Sequence, residues 1–264
     1  MSIVSDTTNV LTRELRPLMR EPFGMLISLM QPLVFLALFA PLLPDLGPAT
    51  SALQWFVPGI VAMSCLMGSS MVGASLTQEM ITGSHERLLV SPLSRSSLLI
   101  GRALREIVPT LAQAALIIAI VTPFSFDLHL GGVLLGIAIL ALFCVGVGAL
   151  SFALALASKD QEWLFWTVQQ TVIFPILLLA GMLLPVDDGP GWLRFLSQLN
   201  PLTYVIDAER ALFAGSLPLV TVLAGTGAAV LVALVGLTVG LGAWPVPADC
   251  QQRHLDGVAN GPSA

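Results

Sequence analysis

The chain has 264 residues, of which 56% are hydrophobic and 10% are charged, with a mean hydropathy of +0.89 and a formal net charge of −5. Soluble domains carry about 25% charged residues, so this composition excludes a water-soluble globule. The apolar runs are about 20 residues long, which is typical of transmembrane helices and not of the shorter alternating strands of a membrane barrel. The sequence therefore predicts an all-α, polytopic membrane protein.

The first 22 residues form a polar N-terminal segment. From Thr8 to Glu21, leucines recur every three or four residues opposite charged side chains. This spacing is typical of a helix that lies along the membrane surface, although Pro17 interrupts it. Because about twenty residues precede the first apolar run, we expect an uncleaved first span and not a signal peptide.

Residues 23–244 contain six apolar runs, which we interpret as six transmembrane helices of one permease-like domain. Nine of the eleven Lys and Arg residues fall on the side that holds both termini. This asymmetry places both termini in the cytoplasm and the chain in the plasma (cytoplasmic) membrane. The tail, residues 245–264, is predicted to be disordered. The predicted spans are Phe23–Leu43, Gln54–Gln78, Leu98–Thr122, Gly131–Ala157, Trp163–Leu184 and Leu217–Trp244.

The count of six requires that residues 186–215 do not cross the bilayer. Their charged residues make a crossing costly, at about 2.5–3.5 kcal/mol for each central Arg or Asp. We predict instead an outer re-entrant hairpin of two short helices that are separated by Asn200-Pro201. The alternative is a surface hairpin that only connects two spans. The apolar faces of the two helices comprise Trp192, Phe195, Leu196 and Leu199, then Leu202, Val205, Ile206 and Leu212.

Residues 79–95 form a polar cytoplasmic loop between the second and third spans. Ser84 can cap a short helix that Pro92 ends, and such a helix could dock on a soluble partner. An ordinary solvated loop is the alternative.

Small and polar residues also occur inside the spans. Ser69 and Gly73 lie at four-residue spacing in the second span, which favours close helix packing. In the fifth span, three polar residues share one helix face, with Gln169 beside them. Amides in hydrocarbon require a partner or water, so this face predicts a substrate path or a contact with another helix. The predicted set is Ser69, Gly73, Thr167, Gln170, Thr171 and Phe174.

Sites for ATP, for metals and for catalysis are missing from the sequence. A P-loop needs a Gly-x-x-x-x-Gly-Lys-Ser/Thr motif, and the single lysine, Lys159, has no glycine-rich turn before it. The three cysteines lack metal or disulfide spacing, and all three histidines lie in predicted loops or the tail. We therefore predict no catalytic residue, no metal and no cofactor on this chain, so any ATP dependence requires a second polypeptide.

Three stretches resemble the signature of type-2 ABC transporter permeases, most closely the daunorubicin-resistance branch: residues 174–185 (FPILLLAGMLLP), 190–194 (PGWLR) and 199–210 (LNPLTYVIDAER). Residues 79–92 are similar to the first cytoplasmic coupling loop of that family. Glu209 departs from the family pattern, where a leucine is expected before the arginine.

The resemblance implies the membrane subunit of an exporter, without enzymatic activity of its own. Its implied partners are a separate P-loop ATPase in two copies, which binds ATP and Mg, a second permease copy in a homodimer, and membrane lipid. The implied cargo is an amphipathic drug, antibiotic, lipid or lipid-linked molecule, and no nucleic acid is involved. The implied ATPase-coupling interface comprises Glu79, Gly83, His85, Glu86, Arg87, Leu88 and Pro92, and the implied outer lid comprises Trp192, Asn200, Pro201, Tyr204, Asp207 and Arg210.

The alternative is a secondary, ion-coupled multidrug carrier with no ATPase partner. Such a carrier requires a carboxylate within the membrane, and none of the six predicted spans carries one at mid-depth.

Overall fold

The structure is a computed structural model that describes residues 22–39, 52–81, 110–123, 129–158, 161–182, 186 and 189–243. Eight helices occupy these ranges: α1 (Pro22–Phe39), α2 (Ala52–Ile81), α3 (Thr110–Val121), α4 (Leu130–Ala157), α5 (Glu162–Leu179), α6 (Gly191–Leu199), α7 (Pro201–Phe213) and α8 (Leu219–Gly242). The described residues contain no strand, which confirms the all-α prediction for this part of the chain.

Four of these helices, α2, α4, α5 and α8, are long and apolar enough to cross a membrane. They correspond to the second, fourth, fifth and sixth predicted spans. Of the first and third predicted spans, the described parts are the helix α1 and the shorter apolar helix α3. The predicted surface helix Thr8–Glu21, most of the loop 79–95 and the tail 245–264 lie outside the described residues.

Several predicted span boundaries differ from the helix ends. The second span was predicted as Gln54–Gln78, whereas α2 runs from Ala52 to Ile81. Two further differences lie next to the pair of short helices α6 and α7. The fifth span was predicted to continue to Leu184, but α5 ends at Leu179. Gly181 has a φ of +65°, a conformation that ends helices and favours glycine. The sixth span was predicted to begin at Leu217, but α8 begins at Leu219, directly after Pro218.

Helix α2 forms the centre of the bundle. It contacts α1, α4, α5 and α7, and its residues Phe56, Val57, Ile60 and Val61 are completely buried. In contrast, α5 and α8 direct most of their residues outward. The outward residues of α8 are mainly large and apolar, as expected for a surface in contact with lipid.

Glycines in α4 allow two other helices to approach its backbone. A Cβ atom at Gly132 or Gly146 would collide with the backbone of Leu212 in α7 or of Val232 in α8, respectively. Gly236 of α8 lies directly against Gly146. Gly236 and Gly240 form a GxxxG pattern in α8, and the buried position of both fits the role of small residues in membrane helix packing.

We predict that Gly236→Leu destabilises the protein by about 1–3 kcal/mol, because the new side chain would overfill the α4–α8 contact. Thermal unfolding of the purified protein in detergent measures this. Gly227→Leu is the matched control, since Gly227 lies on the same helix and a Cβ atom there would meet nothing within 4 Å. Equal unfolding temperatures for the two variants would contradict the predicted packing role.

Candidate functional site

The predicted coupling residues lie mainly outside the described part of the chain. Only Glu79 falls within it, on the last turn of α2, where it is half-buried. Gly83, His85, Glu86, Arg87, Leu88 and Pro92 belong to the range 82–109, which the structure does not describe. Their role stays a prediction.

The predicted path residues separate into two groups that the structure does not bring together. Ser69 and Gly73 are buried inside the bundle, where the Ser69 hydroxyl donates to the Cys65 carbonyl at 2.7 Å. A Cβ atom at Gly73 would collide with Ser151 of α4 and Phe165 of α5. Within the protomer, these two residues therefore serve close helix packing.

The second group forms an outward face of α5. Four residues of this face are exposed on the side of the helix that points away from the rest of the bundle: Thr167, Gln170, Thr171 and Phe174. The Thr167 hydroxyl donates to the Trp163 carbonyl of its own helix at 2.8 Å. A polar face on an otherwise apolar helix is unfavourable against lipid, so it fits a protein contact or an aqueous path.

Gln169, which the sequence places beside this face, points into the bundle. It is buried, and its amide nitrogen donates to the Ser70 hydroxyl of α2 at 3.4 Å. Ser151 of α4 completes a polar seam, since its hydroxyl donates to the Ser70 carbonyl and accepts from the Gly73 N–H at 3.1 Å. We call Ser70, Ser151 and Gln169 the polar seam. The sequence did not predict a role for Ser70 or Ser151, because a single serine in a span does not indicate which way its side chain faces.

The two short helices predicted on either side of Asn200-Pro201 are present as α6 and α7. The four residues predicted to share the apolar face of α7 do lie together, and all four are completely buried inside the bundle. The predicted face of α6 is exposed: Trp192, Phe195, Leu196 and Leu199 all point outward. Helix α6 therefore presents an apolar surface that nothing in the described residues covers.

Asn200 connects the start of α7 to the end of α5. Its side-chain oxygen accepts from the Leu202 N–H at 3.1 Å, which caps α7. Its amide nitrogen donates to the Ile176 carbonyl of α5 at 2.7 Å. Tyr204 stabilises the hairpin itself, since its hydroxyl donates to the Gln198 carbonyl at 2.8 Å.

Arg210 connects α7 to both α2 and the end of α5. Its guanidinium donates to the Gly181 carbonyl at 2.7 Å and to the Trp55 carbonyl at 3.3 Å. The same group lies 3.9 Å from the centroid of the Trp55 ring, a cation–π geometry. Asp207 lies one turn earlier, with its carboxylate 3.6 Å from the guanidinium.

Glu209 does not join this ion pair. Its side chain is completely buried next to Gly136, and neither carboxyl oxygen has a hydrogen-bond partner among the described residues. A charged carboxylate in such surroundings is costly. Burial therefore raises the pKa of Glu209 well above its ordinary value.

The family model described as ABC-2 type transporter matches residues 6–214. The transport permease ycf38 of Cyanophora paradoxa is 31% identical over 75% of this chain and 71% of its own length. The daunorubicin resistance ABC transporter permease protein DrrB1 of Streptomyces coeruleorubidus is 23% identical over 81% of this chain and 76% of its own length. YbhR of Escherichia coli (strain K12), whose name describes a multidrug ABC transporter permease, is 29% identical over 61% of this chain and 44% of its own length.

We predict that Arg210→Lys destabilises the protein by about 2 kcal/mol, because lysine cannot make two separated hydrogen bonds and stack on Trp55 at once. Thermal unfolding in detergent measures the loss. Arg194→Lys is the matched control, since Arg194 is exposed on α6. If both variants unfold at the wild-type temperature, Arg210 does not hold the hairpin in place.

A second prediction concerns the pH dependence of stability. Because the pKa of Glu209 is raised in the folded state, its stabilising contribution is full below the unfolded pKa of about 4.3. That contribution is lost as the pH rises from there through the folded pKa. We expect the unfolding temperature to fall over this range in the wild type and to fall less in Glu209→Gln.

The control for this measurement is Asp207→Asn, since the Asp207 side chain is 50% exposed. Unfolding curves are recorded at a series of pH values in one detergent. If the Glu209→Gln curve runs parallel to the wild type at every pH, Glu209 does not carry the pH dependence.

Proposed function

Because this chain belongs to the ABC-2 type transporter family, we propose that it is the membrane-spanning permease subunit of an ATP-binding-cassette exporter. It would move an amphipathic drug, antibiotic, lipid or lipid-linked molecule out of the cytoplasm. ATP would be hydrolysed by a separate P-loop ATPase in two copies, which binds the ATP and Mg. Family membership is the observation that carries this proposal.

The outward face of α5 supports a second permease copy. Thr167, Gln170 and Thr171 are polar residues on a helix of membrane-spanning length, and all three are exposed. Against lipid this arrangement is unfavourable, whereas a second copy or a hydrated path between two copies would supply partners. We therefore propose a homodimer in which the α5 helices of the two chains face each other across the path.

The outer hairpin supports a lid at the extracellular end of that path. Arg210 and Asn200 attach α7 to the ends of α2 and α5. Helix α6 exposes an apolar face with Trp192 and Phe195, and aromatic side chains favour the membrane–water interface. We propose that α6 and α7 re-enter the outer leaflet between the fifth and sixth of six spans, with both termini in the cytoplasm.

An ion-coupled secondary carrier is the second candidate, because Glu209 is a buried carboxyl group of the type that such carriers require. The two candidates differ in their energy source. A primary exporter continues when an uncoupler removes the proton gradient and ATP is held constant, whereas an ion-coupled carrier stops under the same conditions.

The proposed coupling loop, Glu79 to Pro92, makes a testable prediction. Glu86→Lys should lower the amount of ATPase that co-purifies with the chain more than tenfold, because a reversed charge at a docked interface costs about 2–5 kcal/mol. The chain is purified from its own membranes in mild detergent, and co-purifying proteins that contain a Gly-x-x-x-x-Gly-Lys-Ser/Thr motif are quantified by mass spectrometry.

Glu162→Lys is the control, since Glu162 is exposed on the same predicted membrane side and lies at the start of α5. Equal recovery of the ATPase with Glu86→Lys and wild type would contradict the coupling role. If no protein with a P-loop accompanies the wild-type chain, the proposal of a primary exporter is wrong.

A further inference from the structure

A cavity of about 310 Å³ lies inside the single protomer, between α2, α4, α5 and α8. Its walls are almost entirely apolar and include Leu66, Phe143, Val147 and Val232, with Pro201 of α7 at one end. Leu150 of α4 and Val172 of α5 line the cavity and are also partly exposed on the outside of the bundle. The cavity therefore reaches the lateral surface, which faces lipid.

Among the described residues that line this cavity, the three residues of the polar seam are the polar ones. The Ser70 hydroxyl donates to the Met67 carbonyl at 2.7 Å, so its oxygen is free to accept from the amide nitrogen of Gln169. This fixes the orientation of the amide. The remaining amide oxygen, Oε1 of Gln169, is buried and has no donor among the described residues.

Water is a poor partner for this oxygen. A buried water needs two to four polar partners, but both serine hydroxyls of the seam already donate to backbone carbonyls. A water beside Gln169 could donate to Oε1 and to a serine hydroxyl oxygen, but neither serine hydroxyl could donate to it, so its own oxygen would face apolar neighbours. An unsatisfied buried acceptor costs about 1–3 kcal/mol, so a ligand that donates a hydrogen bond would remove a penalty that the empty protein carries.

We propose that this cavity binds a membrane-dissolved molecule with an apolar body and one neutral hydrogen-bond donor, which donates to Oε1 of Gln169. The apolar walls favour an apolar body, and the described lining residues include no charged side chain, which favours a neutral group. The volume is about twice that of the engineered 150 Å³ cavity that binds benzene in another protein, so a two-ring molecule fits. The interpretation of the bound molecule as transported cargo rests on the proposed function.

The position of this site differs from the proposed path between two copies. Gln169 faces into the protomer, whereas Gln170 faces outward from the same helix. A cargo molecule would thus reach the cavity from the bilayer, through the gap between α4 and α5, without passing through the dimer interface.

Two photoreactive probes test the proposal: 4-(hydroxymethyl)benzophenone, which carries a neutral donor, and 4-(methoxymethyl)benzophenone, which does not. The purified full-length chain in lipid nanodiscs is irradiated with each probe, and adducts are located by mass spectrometry. We expect adducts of the hydroxymethyl probe on cavity-lining residues, at a half-saturating concentration about tenfold below that of the methoxymethyl probe.

Gln169→Leu removes the acceptor and keeps a similar side-chain size. We expect it to raise the half-saturating concentration of the hydroxymethyl probe about tenfold and to leave that of the methoxymethyl probe unchanged. Gln170→Leu makes the same chemical change on the outward face, and we expect it to leave both unchanged. Val172→Trp, at the exposed mouth of the cavity, should lower labelling by both probes, because the larger side chain narrows the entrance. The unchanged labelling of Gln169→Leu by the methoxymethyl probe shows that this variant is folded.

Three results would overturn the proposal. The first is adducts on the outward face of α5 with none on the cavity-lining residues, and the second is equal labelling of the wild type by the two probes. Dependence on Gln170 in place of Gln169 would move the site to the dimer path and overturn it as well. Labelling needs neither ATP nor the ATPase. A negative labelling result would therefore contradict the cavity site and not the proposed exporter function. A missing ATPase would contradict the exporter function and not the binding of the probes.

Discussion

The hydrocarbon core of a membrane offers no hydrogen-bond partner, so each polar group there must find one within the protein. The end of α5 shows this constraint most clearly. The chain turns at Gly181, and a helix end leaves carbonyl oxygens without partners. From α7, Arg210 donates to the Gly181 carbonyl, and Asn200 at the start of α7 donates to the Ile176 carbonyl, which also accepts from the Ala180 N–H. Helix α7 is thus attached to the end of α5 by two side chains that donate to its backbone.

A second consequence of the lipid environment is that helices associate through close packing of small residues and not through exclusion of water. Helix α4 contacts α2, α7 and α8, and its glycines lie where the backbones of α7 and α8 approach it. These four helices form a closely packed unit. Helix α5 shares little of this packing, since most of its residues face outward. In the proposed transporter, we therefore expect α5 to be the span that moves most easily relative to the others.

Sequence patterns predicted the features that depend on local chemistry. The apolar runs located α4 to within one residue, and Asn200-Pro201 marked the break between α6 and α7. Features that depend on how helices rotate against each other were not accessible. The sequence could not show that Gln169 faces inward, nor that Glu209 points away from Arg210 into apolar surroundings. The end of α5 was also missed, because the apolar run continues beyond the glycine whose backbone conformation ends the helix.

Adjacent residues of a helix point about 100° apart, and this geometry relates the two amides of α5 to each other. Gln169 completes the seam with α2 and α4, while Gln170 lies on the face that a second copy is proposed to cover. Both side chains belong to one rigid element, so a rotation of α5 that displaces one must displace the other. A ligand that fills the cavity beside Gln169 would favour the orientation in which that amide stays inward. Occupancy of the cavity would then bias the separation of the two copies, which gives the proposed exporter a physical link between cargo binding and opening of the path.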